Sequence, residues 1–491
     1  MTIILTILAY FGILLIFSRA TSGKSNNDTF YRANRRSPWY MVAFGMVGAS
    51  ISGITFVSVP GMVLTSDMSY LQMCIGFIFG YFAVAFVLLP IYYKLNLTTI
   101  YSYLEYRMGK KSYKTGASFF ILSKLTGAAV RFYVVCFILQ RFVLDAFGIP
   151  FAVTVVVMVG LIWLYTHKSG VKTLVWTDTF QTLCMFAALI LMIFQVMNAL
   201  HYDMGQAVDA IIADKRSNIF VWSDFISRQN FVKQFLSGIF VVIVMTGLDQ
   251  DMMQKNLTCK SLHEAQKDMC SYGFAFIPAN LLFLSLGILL AQLANSWHIA
   301  LPTMTDDLLP MFAASGKIGP VIVILFSIGI VAASFSSADS SMTALTTCWC
   351  IDIMEQKDNE KLRKYTHFFI ALIFVIFILL FRIINSTSVL DAIYTLCSYT
   401  YGPLLGLFAY GIFTHRGVND NYVPYIAIGS PVICGIIDYT TRYLTGYQFG
   451  YELLLLNGGI TFLGLWLSAP ANRYHKFQLK VTDENDRPIG F

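Results

Sequence analysis

The chain has 491 residues, of which 57% are hydrophobic and 12% are charged, and its mean hydropathy is +0.65. Soluble domains carry about 25% charged residues, so this composition indicates a polytopic membrane protein. The formal net charge of +7 does not indicate a nucleic-acid partner, because the basic residues fall mostly in loops on one side of the predicted membrane. The nine cysteines contain no CxxC pair, so we expect neither a zinc site nor a disulfide framework.

Thirteen apolar segments follow one another along the chain, each long enough to cross a bilayer as a helix of about 20 residues. We number them spans 1 to 13, and they comprise residues 2–18, 38–63, 69–93, 115–147, 151–167, 172–199, 231–253, 267–294, 318–350, 364–383, 388–413, 421–442 and 451–471. Span 1 is followed, not preceded, by the basic residues Arg19 and Lys24. This order is the reverse of a secretory signal, so we expect an uncleaved first helix in an all-α protein.

The loops after the odd-numbered spans hold most of the lysine and arginine, including Lys255 and Lys260 after span 7. The other loops are poor in both residues, apart from three basic residues in the long loop after span 6. Because cytoplasmic loops carry an excess of positive charge, we place the amino terminus outside and the carboxyl terminus in the cytoplasm. The expected location is the plasma (inner) membrane.

Two predicted external segments, residues 200–230 and 295–317, are longer than simple turns. Each carries amphipathic stretches, which are typical either of a cover over an outer vestibule or of a plain solvated connector. The sequence shows no soluble domain and no nucleotide-binding cassette, so ATP is not expected to be the energy source.

Spans 2 and 7 carry interruptions that ordinary transmembrane helices lack. Span 2 has clustered glycine and serine between Gly45 and Thr55, and span 7 is interrupted at residues 246–251. Such clusters favour an unwound segment whose carbonyls face a cavity, although small residues also permit close helix packing. The two spans lie five helices apart, as in an inverted five-plus-five repeat. We therefore divide the chain into an extra helix with a basic loop (1–37), two repeats (38–199 and 231–413), an extracellular loop (200–230), two terminal helices (414–471) and a cytoplasmic tail (472–491).

Residues 331–347 form a hydroxyl-rich strip inside span 9, which is otherwise apolar. At helical spacing, one face of this strip carries Ala333, Ser336, Ser337 and Ser340, with Asp339 beside them. Carbonyl, hydroxyl and carboxylate oxygens are hard ligands that can replace the water shell of a small cation. The hydroxyls alone would favour close helix packing, but a carboxylate at membrane depth is costly and usually functional.

Further charges fall within the predicted spans, namely Arg131 and Lys124 on one face of span 4, Asp178 in span 6 and Asp249 near the interruption of span 7. Each central charge costs about 2.5–3.5 kcal/mol in lipid, so these residues are expected to face a wet or ion-filled interior. The structural alternative is an ion pair of Lys124 with Asp339 or Asp178 that locks the helices together.

Four motifs resemble those of the sodium:solute symporters, a family that includes bacterial proline, galactose and sialic-acid transporters. They are Trp176 to Gln181, Asp249 to Thr258, Ala333 to Ser341 and Tyr401 to Phe408. The resemblance covers essentially the whole chain. It implies a leucine-transporter-like fold, in which a five-plus-five inverted repeat is preceded by one extra helix and followed by two.

The resemblance also implies sodium sites. The first would lie between spans 2 and 9, with the carbonyls of Gly48, Ile51 and Ala333 and the hydroxyls of Ser336 and Ser337 as ligands. Some members bind a second sodium ion, and the matching positions are Asp178, Ser336, Asp339 and Ser340. Asp339 stands where a hydroxyl is expected. It would either strengthen this second site or pair with Lys124 and abolish it, so one or two sodium ions are expected.

The sialic-acid branch of the family implies the positions that contact the solute. These are Ser50, Ser52, Thr55, Gln72 and Arg131, together with Asp249 in either a solute-side or an inner-gate role. The guanidinium of Arg131 presents paired donors that suit a carboxylate, whereas serine and threonine suit a polyol or an N-acyl group. Each hydroxyl also has a structural alternative, which is packing or bonding to a backbone carbonyl.

We therefore predict a monomeric, sodium-driven importer of a small organic solute that works by alternating access. The favoured solute is an acidic sugar such as sialic acid, and the alternatives are a neutral sugar, a polyol or an amino acid. A sodium-independent uniporter and a sensor built on a transporter-like fold are the other classes considered. An enzyme is not expected, because no His/Asp/Glu cluster or Ser-His-Asp set gathers on one side of the membrane. The expected partners are the solute, sodium ions and the lipid bilayer.

Overall fold

The computed structural model describes residues 2–21, 26–168, 170–222, 227–314, 316–384, 389–447 and 449–469. This part of the chain is helical and has no β-strand; one isolated bridge joins Ser37 and Cys259. Helices occupy the place of every predicted span. They are α1 (Thr2–Thr21), α2a (Trp39–Ser50), α2b (Gly53–Ser66), α3 (Tyr70–Lys94), α4 (Lys110–Leu139), α5 (Phe151–Thr166), α6 (Val171–Leu200), α7a (Phe231–Gly247), α7b (Gln250–Asn256), α8 (Leu262–Ser296), α9 (Pro320–Ile353), α10 (Glu360–Ile384), α11 (Val389–Phe413), α12 (Val423–Thr445) and α13 (Leu453–Ser468).

Within the described residues, seven of these helices are long and apolar enough to cross a membrane, and the two bent pairs bring the number to as many as nine. The shorter apolar helices include α5 and α13. All nine cysteines are free, as expected for residues that serve packing. The predicted cytoplasmic tail, residues 472–491, lies outside the described residues.

The predicted interruptions of spans 2 and 7 are confirmed as sharp bends. The axes of α2a and α2b differ by 62°, and those of α7a and α7b by 70°. At the first bend the amide of Ser52 donates to the carbonyl of Ser50 instead of continuing the helical ladder. At the second bend, Asp249 takes an extended conformation and caps α7b through its side chain. Both bends are therefore built from local polar groups.

Small residues bring the bend of α2 into close contact with α6 and α9. A Cβ atom added at Gly48 would lie 1.8 Å from the Thr182 hydroxyl of α6, and one at Gly53 would lie 2.1 Å from the Ser334 hydroxyl of α9. Both interpretations of the glycine cluster are thus correct, because the same segment is unwound and tightly packed. The predicted approach of span 2 to span 9 is confirmed.

The two long external segments contain short helices that pack on the bundle. The first includes the helix Met204–Ala213, and the Gln292 side chain of α8 donates to its Ala210 carbonyl at 3.0 Å. The second includes Leu308–Ala314, and a Cβ atom at Gly61 of α2b would lie 1.9 Å from the preceding Thr305 carbonyl. This packing favours the cover over the plain connector.

We expect the substitution Gly287→Ala to destabilise the protein, because α8 crosses α2b closely at this glycine. The added Cβ atom would lie 2.0 Å from the Pro60 carbonyl oxygen, and neither backbone can move away freely. Overpacking costs about 1–3 kcal/mol, which exceeds the gain of about 1 kcal/mol for alanine over glycine in a helix. The matched control is Gly160→Ala in α5, where no heavy atom lies within 4 Å of the new Cβ. Thermal unfolding in detergent should show a lower midpoint for the first variant alone; equal midpoints would contradict the close crossing.

Candidate functional site

A central cavity of about 120 Å³ lies against the bend of α2, and α3, α4, α7a, α7b, α8 and α9 complete its wall. Five of the six predicted solute contacts line it, namely Ser50, Ser52, Thr55, Arg131 and Asp249. Ser337, a predicted sodium ligand, lines the same cavity. The fold therefore brings the predicted solute and sodium positions side by side.

The guanidinium of Arg131 faces this cavity without a protein partner. Within the described residues it makes neither a hydrogen bond nor an ion pair, whereas Lys124 of the same helix is paired. An unpaired charge at this depth is costly unless a ligand or water satisfies it. Its paired donors are thus available to an anionic ligand, and a carboxylate matches them in shape and charge.

The hydroxyls at the bend of α2 already have neighbours. The Ser50 hydroxyl is hydrogen-bonded to the hydroxyl of Tyr272 on α8. The hydroxyls of Ser52 and Thr55 lie 3.5 Å apart, at the limit of a hydrogen bond. Each hydroxyl retains further capacity to donate or accept, so these groups can contact a polar solute without leaving their present positions.

The carboxylate of Asp249 is fully engaged by protein groups. Its Oδ1 accepts from the amide of Asp251 at 2.9 Å, which caps α7b. Its Oδ2 accepts from the Tyr401 hydroxyl at 2.6 Å and lies 3.0 Å from the Lys124 ammonium. This arrangement fits an inner-gate role better than direct solute contact.

Lys124 pairs with the bend of α7, so its predicted pairing with Asp339 or Asp178 is wrong. Its Nζ lies 2.8 Å from Oδ2 of Asp251, which also accepts from the Ser341 hydroxyl of α9 at 3.1 Å. The 70° bend turns two carboxylates of α7 towards α4, and the sequence does not reveal that direction. The resulting network joins α4, α7, α9 and α11.

Gln72, the sixth predicted solute contact, does not line the cavity. Its side chain accepts from the Val221 amide at 3.0 Å and donates to the Gln229 carbonyl at 2.9 Å, so it holds the external segment against α3. A third bond, to the Ser69 carbonyl at 3.2 Å, uses its remaining N–H. The solute role of Gln72 remains a prediction from resemblance alone.

The groups predicted for the first sodium site carry unused oxygen atoms. In the described residues, no backbone amide at the start of α2b donates a hydrogen bond to the carbonyl of Gly48 or Ile51 across the bend. The Ser337 hydroxyl likewise has no hydrogen-bond partner in this part of the chain. Free carbonyls and a free hydroxyl beside a polar cavity are the groups with which proteins coordinate sodium at broken helices.

The groups predicted for the second sodium site also lie together, between α6 and α9. The hydroxyl of Ser336 donates to Asp178 Oδ1 at 2.8 Å. Asp339 accepts from the Tyr165 hydroxyl at 2.7 Å and from the Ser340 amide at 2.6 Å. All of these side chains are buried. A buried carboxylate needs either a compensating positive charge or a proton, and two carboxylates lie together here.

A second, larger cavity of about 430 Å³ lies one helical turn from the first along two of the helices. On α2b, Thr55 lines the small cavity and Ser58 lines the large one. On α7a, Val241 lines the small cavity and Ser237 lines the large one. One turn corresponds to about 5.4 Å along a helix. Gln229 of the first external segment and Asp306 of the second also line the larger cavity, which we name the vestibule.

The sequence profile of the sodium:solute symporter family matches residues 30–421, which is most of the chain. The chain belongs to this family. Its activity is accordingly sodium-coupled solute symport across a membrane, and the predicted family resemblance is confirmed.

Relatives of this symporter and solved structures agree with the assignment. The sodium/sialic acid symporters NanT of Aliivibrio fischeri and SiaT of Proteus mirabilis are 26% and 24% identical to it, over 79% of this chain and 78% and 80% of theirs. A human sodium-coupled monocarboxylate transporter is 23% identical over 82% of this chain and 66% of its own. The fold is similar to a substrate-bound, outward-open Na⁺-coupled sialic acid symporter, with a TM-score of 0.81 at 21% identity, covering 96% of this chain and 98% of that one.

The symporter also contains site residues that the sequence did not single out. Lys255, counted above as a cytoplasmic loop charge, is instead a buried side chain at the end of α7b, and that expectation is wrong. A signal was present, because Asp251 and Lys255 stand four residues apart and share one helix face. Tyr165, Tyr272 and Tyr401 gave no such signal, since buried tyrosines are common in apolar helices.

Proposed function

We propose that this symporter imports a small carboxylate-bearing solute, with an acidic sugar such as sialic acid as the first candidate. The observation that carries the proposal is the unpaired Arg131 guanidinium facing the cavity that Ser337 also lines. Two relatives are named as sodium/sialic acid symporters, which supports the same solute class. Arg131 would bind the carboxylate, and the hydroxyls of Ser50, Ser52 and Thr55 would contact the rest of the solute.

The proposed coupling relies on the first sodium site. A sodium ion held by Gly48, Ile51, Ala333, Ser336 and Ser337 would join the unwound bend of α2 to α9 and stabilise the arrangement that binds solute. Each sodium ion that enters releases about 2.3 kcal/mol per 100 mV of membrane potential, in addition to its concentration gradient, and the negative charge of one carboxylate that enters with it costs the same electrical amount. What remains is the sodium concentration gradient, together with the potential acting on any sodium ion beyond the first. This free energy drives accumulation of the solute.

The proposed transport path begins at the vestibule. Solute would pass from the vestibule into the central cavity across one turn of α2b and α7a. The network of Lys124, Asp249 and Asp251 would form the inner gate, because it ties α4 to the bend of α7 beside the cavity. Release to the cytoplasm would require this network to separate.

We further propose a topology of thirteen transmembrane helices, with residues 38–199 and 231–413 as inverted repeats and the amino terminus outside. The alternation of basic loops and the paired bends of α2 and α7 support it. In this scheme the protein is a monomer of the plasma (inner) membrane, with no enzymatic activity of its own.

The volume of the central cavity favours a second candidate. At about 120 Å³ it is smaller than the roughly 300–1,000 Å³ typical of sites for drug-sized ligands. A small monocarboxylate would fit with less rearrangement than a sugar acid, and one relative is named as a sodium-coupled monocarboxylate transporter. Both candidates share the Arg131 contact and differ in the room they need.

The decisive test measures uptake by purified protein in proteoliposomes, with an inward sodium gradient and, as the control, an equal potassium gradient. The substrates are sialic acid, short monocarboxylates, neutral sugars and amino acids. We expect sodium-stimulated uptake of a carboxylate-bearing solute and little uptake of neutral sugars. Uptake that is independent of sodium would indicate a uniporter, and solute binding without uptake would indicate a sensor; either outcome would overturn the proposal.

A further inference from the structure

The second predicted sodium site already contains a positive charge. The Lys255 ammonium lies 2.7 Å from Oδ2 of Asp178, and both side chains are buried, with exposed fractions of 2% and 1%. The other oxygen of Asp178 accepts from Ser336. The ammonium therefore contacts one of the two carboxylates that would provide the charge of a second sodium site.

We propose that Lys255, placed by α7b against Asp178 between α6 and α9, acts as a tethered cation in the second site, so that solute transport is coupled to a single sodium ion. This inference rests on the proposed function and specifies its ion stoichiometry. An ammonium carries the same single positive charge as sodium, concentrated on one compact group. The ammonium can therefore supply the positive charge that a sodium ion would supply at this site, but it remains covalently attached to the protein.

Among the carboxylates near Lys255, Asp339 has hydrogen-bond donors from the protein, whereas in the described part of the chain Oδ2 of Asp178 has only the ammonium. Asp339, which lies within electrostatic range of Lys255, accepts from the Tyr165 hydroxyl and the Ser340 amide. Oδ2 of Asp178 has no hydrogen bond in the described residues, and its contact with Lys255 is an ion pair outside hydrogen-bond angles. A sodium ion on that oxygen would have to lie beside the ammonium, and the two positive charges would repel each other.

The first site differs in this respect. In the described residues no cationic side chain donates a hydrogen bond to the hydroxyl of Ser337 or to the carbonyls of Gly48 and Ile51, and Lys124 is held by the two carboxylates of α7. One site thus remains available to an ion and the other is filled by the chain. The same lysine also fixes α7b to α6, which gives the tether a structural role in addition.

The test counts sodium ions. Equilibrium binding of radioactive sodium to the purified protein, and the sodium gradient at which net solute flux in proteoliposomes is zero, should each give one sodium ion for the wild type. In Lys255→Met the ammonium is lost at similar size, so we expect a second bound ion and a thermal stability that rises more steeply with sodium concentration than that of the wild type. Lys255→Arg keeps the charge and should bind one ion. Lys114→Met is the control, because it removes a lysine that pairs with Glu355 away from both sodium sites and should leave the count at one.

Two results would overturn the tethered cation. The first is a wild type that binds and couples two sodium ions, which would leave the proposed function intact. The second is a folded Lys255→Met protein that binds no additional sodium, which would make Lys255 purely structural. If Lys255→Met does not fold, the wild-type count decides alone. A wild type that binds no sodium and shows no sodium-stimulated uptake would instead refute the proposed function.

Discussion

Replacing both Ser336 and Ser337 by alanine is expected to abolish sodium-stimulated uptake while leaving the protein folded. The double variant removes two hydroxyl ligands from the first sodium site, and it also removes the bond from Ser336 to Asp178. Loss of a group that merely orients a metal ligand lowers metal affinity about 10–100-fold, so loss of two direct ligands should exceed that range. The measurement is the sodium concentration dependence of uptake in proteoliposomes, with thermal unfolding to verify the fold.

The control for this experiment is Ser327→Ala in the same helix. The Ser327 hydroxyl donates to the Val323 carbonyl at 2.8 Å and contacts neither cavity, so its loss should leave sodium dependence unchanged. Single variants separate the two hydroxyls. Ser337→Ala removes a group without a protein partner and should affect sodium alone, whereas Ser336→Ala should also affect stability. Wild-type sodium dependence in the double variant would disprove the assignment of the site to α9.

The substitution Arg131→Ala is expected to weaken binding of acidic solutes about 10- to 150-fold, since a hydrogen bond to a charged group contributes about 1.5–3 kcal/mol. Neutral analogues should lose far less, because they make no charge-assisted contact with the guanidinium. Arg131 has no partner in the described protein, so its removal breaks no internal ion pair and the fold should survive. Solute-dependent thermal shift and uptake kinetics, compared for an acid and its carboxamide, measure the difference.

Arg131→Lys is the companion variant. It retains the charge but loses the paired donors, so it should recover part of the affinity for acids and none of the geometric preference. An equal loss of affinity for the acid and for its carboxamide would contradict the carboxylate contact and indicate that Arg131 shapes the cavity by packing.

Much of the architecture was predictable because transmembrane helices are long, apolar and separated by polar loops. The bends were predictable from clustered glycine and serine, the interior position of Arg131 from its charge at membrane depth, and the positions of Ser50 and Thr55 from the motifs that resemble the family. These signals are local, since each depends on what one segment contains.

The ion-pair partners of the charged residues were not predictable, because they depend on the direction in which each bent helix continues after its bend. Nothing in the sequence states that α7b turns so that Asp251 meets Lys124 and Lys255 meets Asp178. Hydropathy placed Lys255 in a loop because α7b is short and polar. The contacts of Gln72 were not predictable for a similar reason: the external segment that holds it folds back over α3, and such long-range contacts leave no periodic pattern.

The bends of α2 and α7 have a kinetic consequence. A straight helix that flexes at its middle must break backbone hydrogen bonds in a medium that offers no replacement. Here the carbonyls of Gly48 and Ile51 already lie outside the helical hydrogen-bond pattern, so the two halves of the helix can rotate about an existing hinge. The rate of reorientation is then limited by side-chain contacts such as the ion pairs of Lys124. Single substitutions at these contacts can change that rate without disrupting the helical bundle.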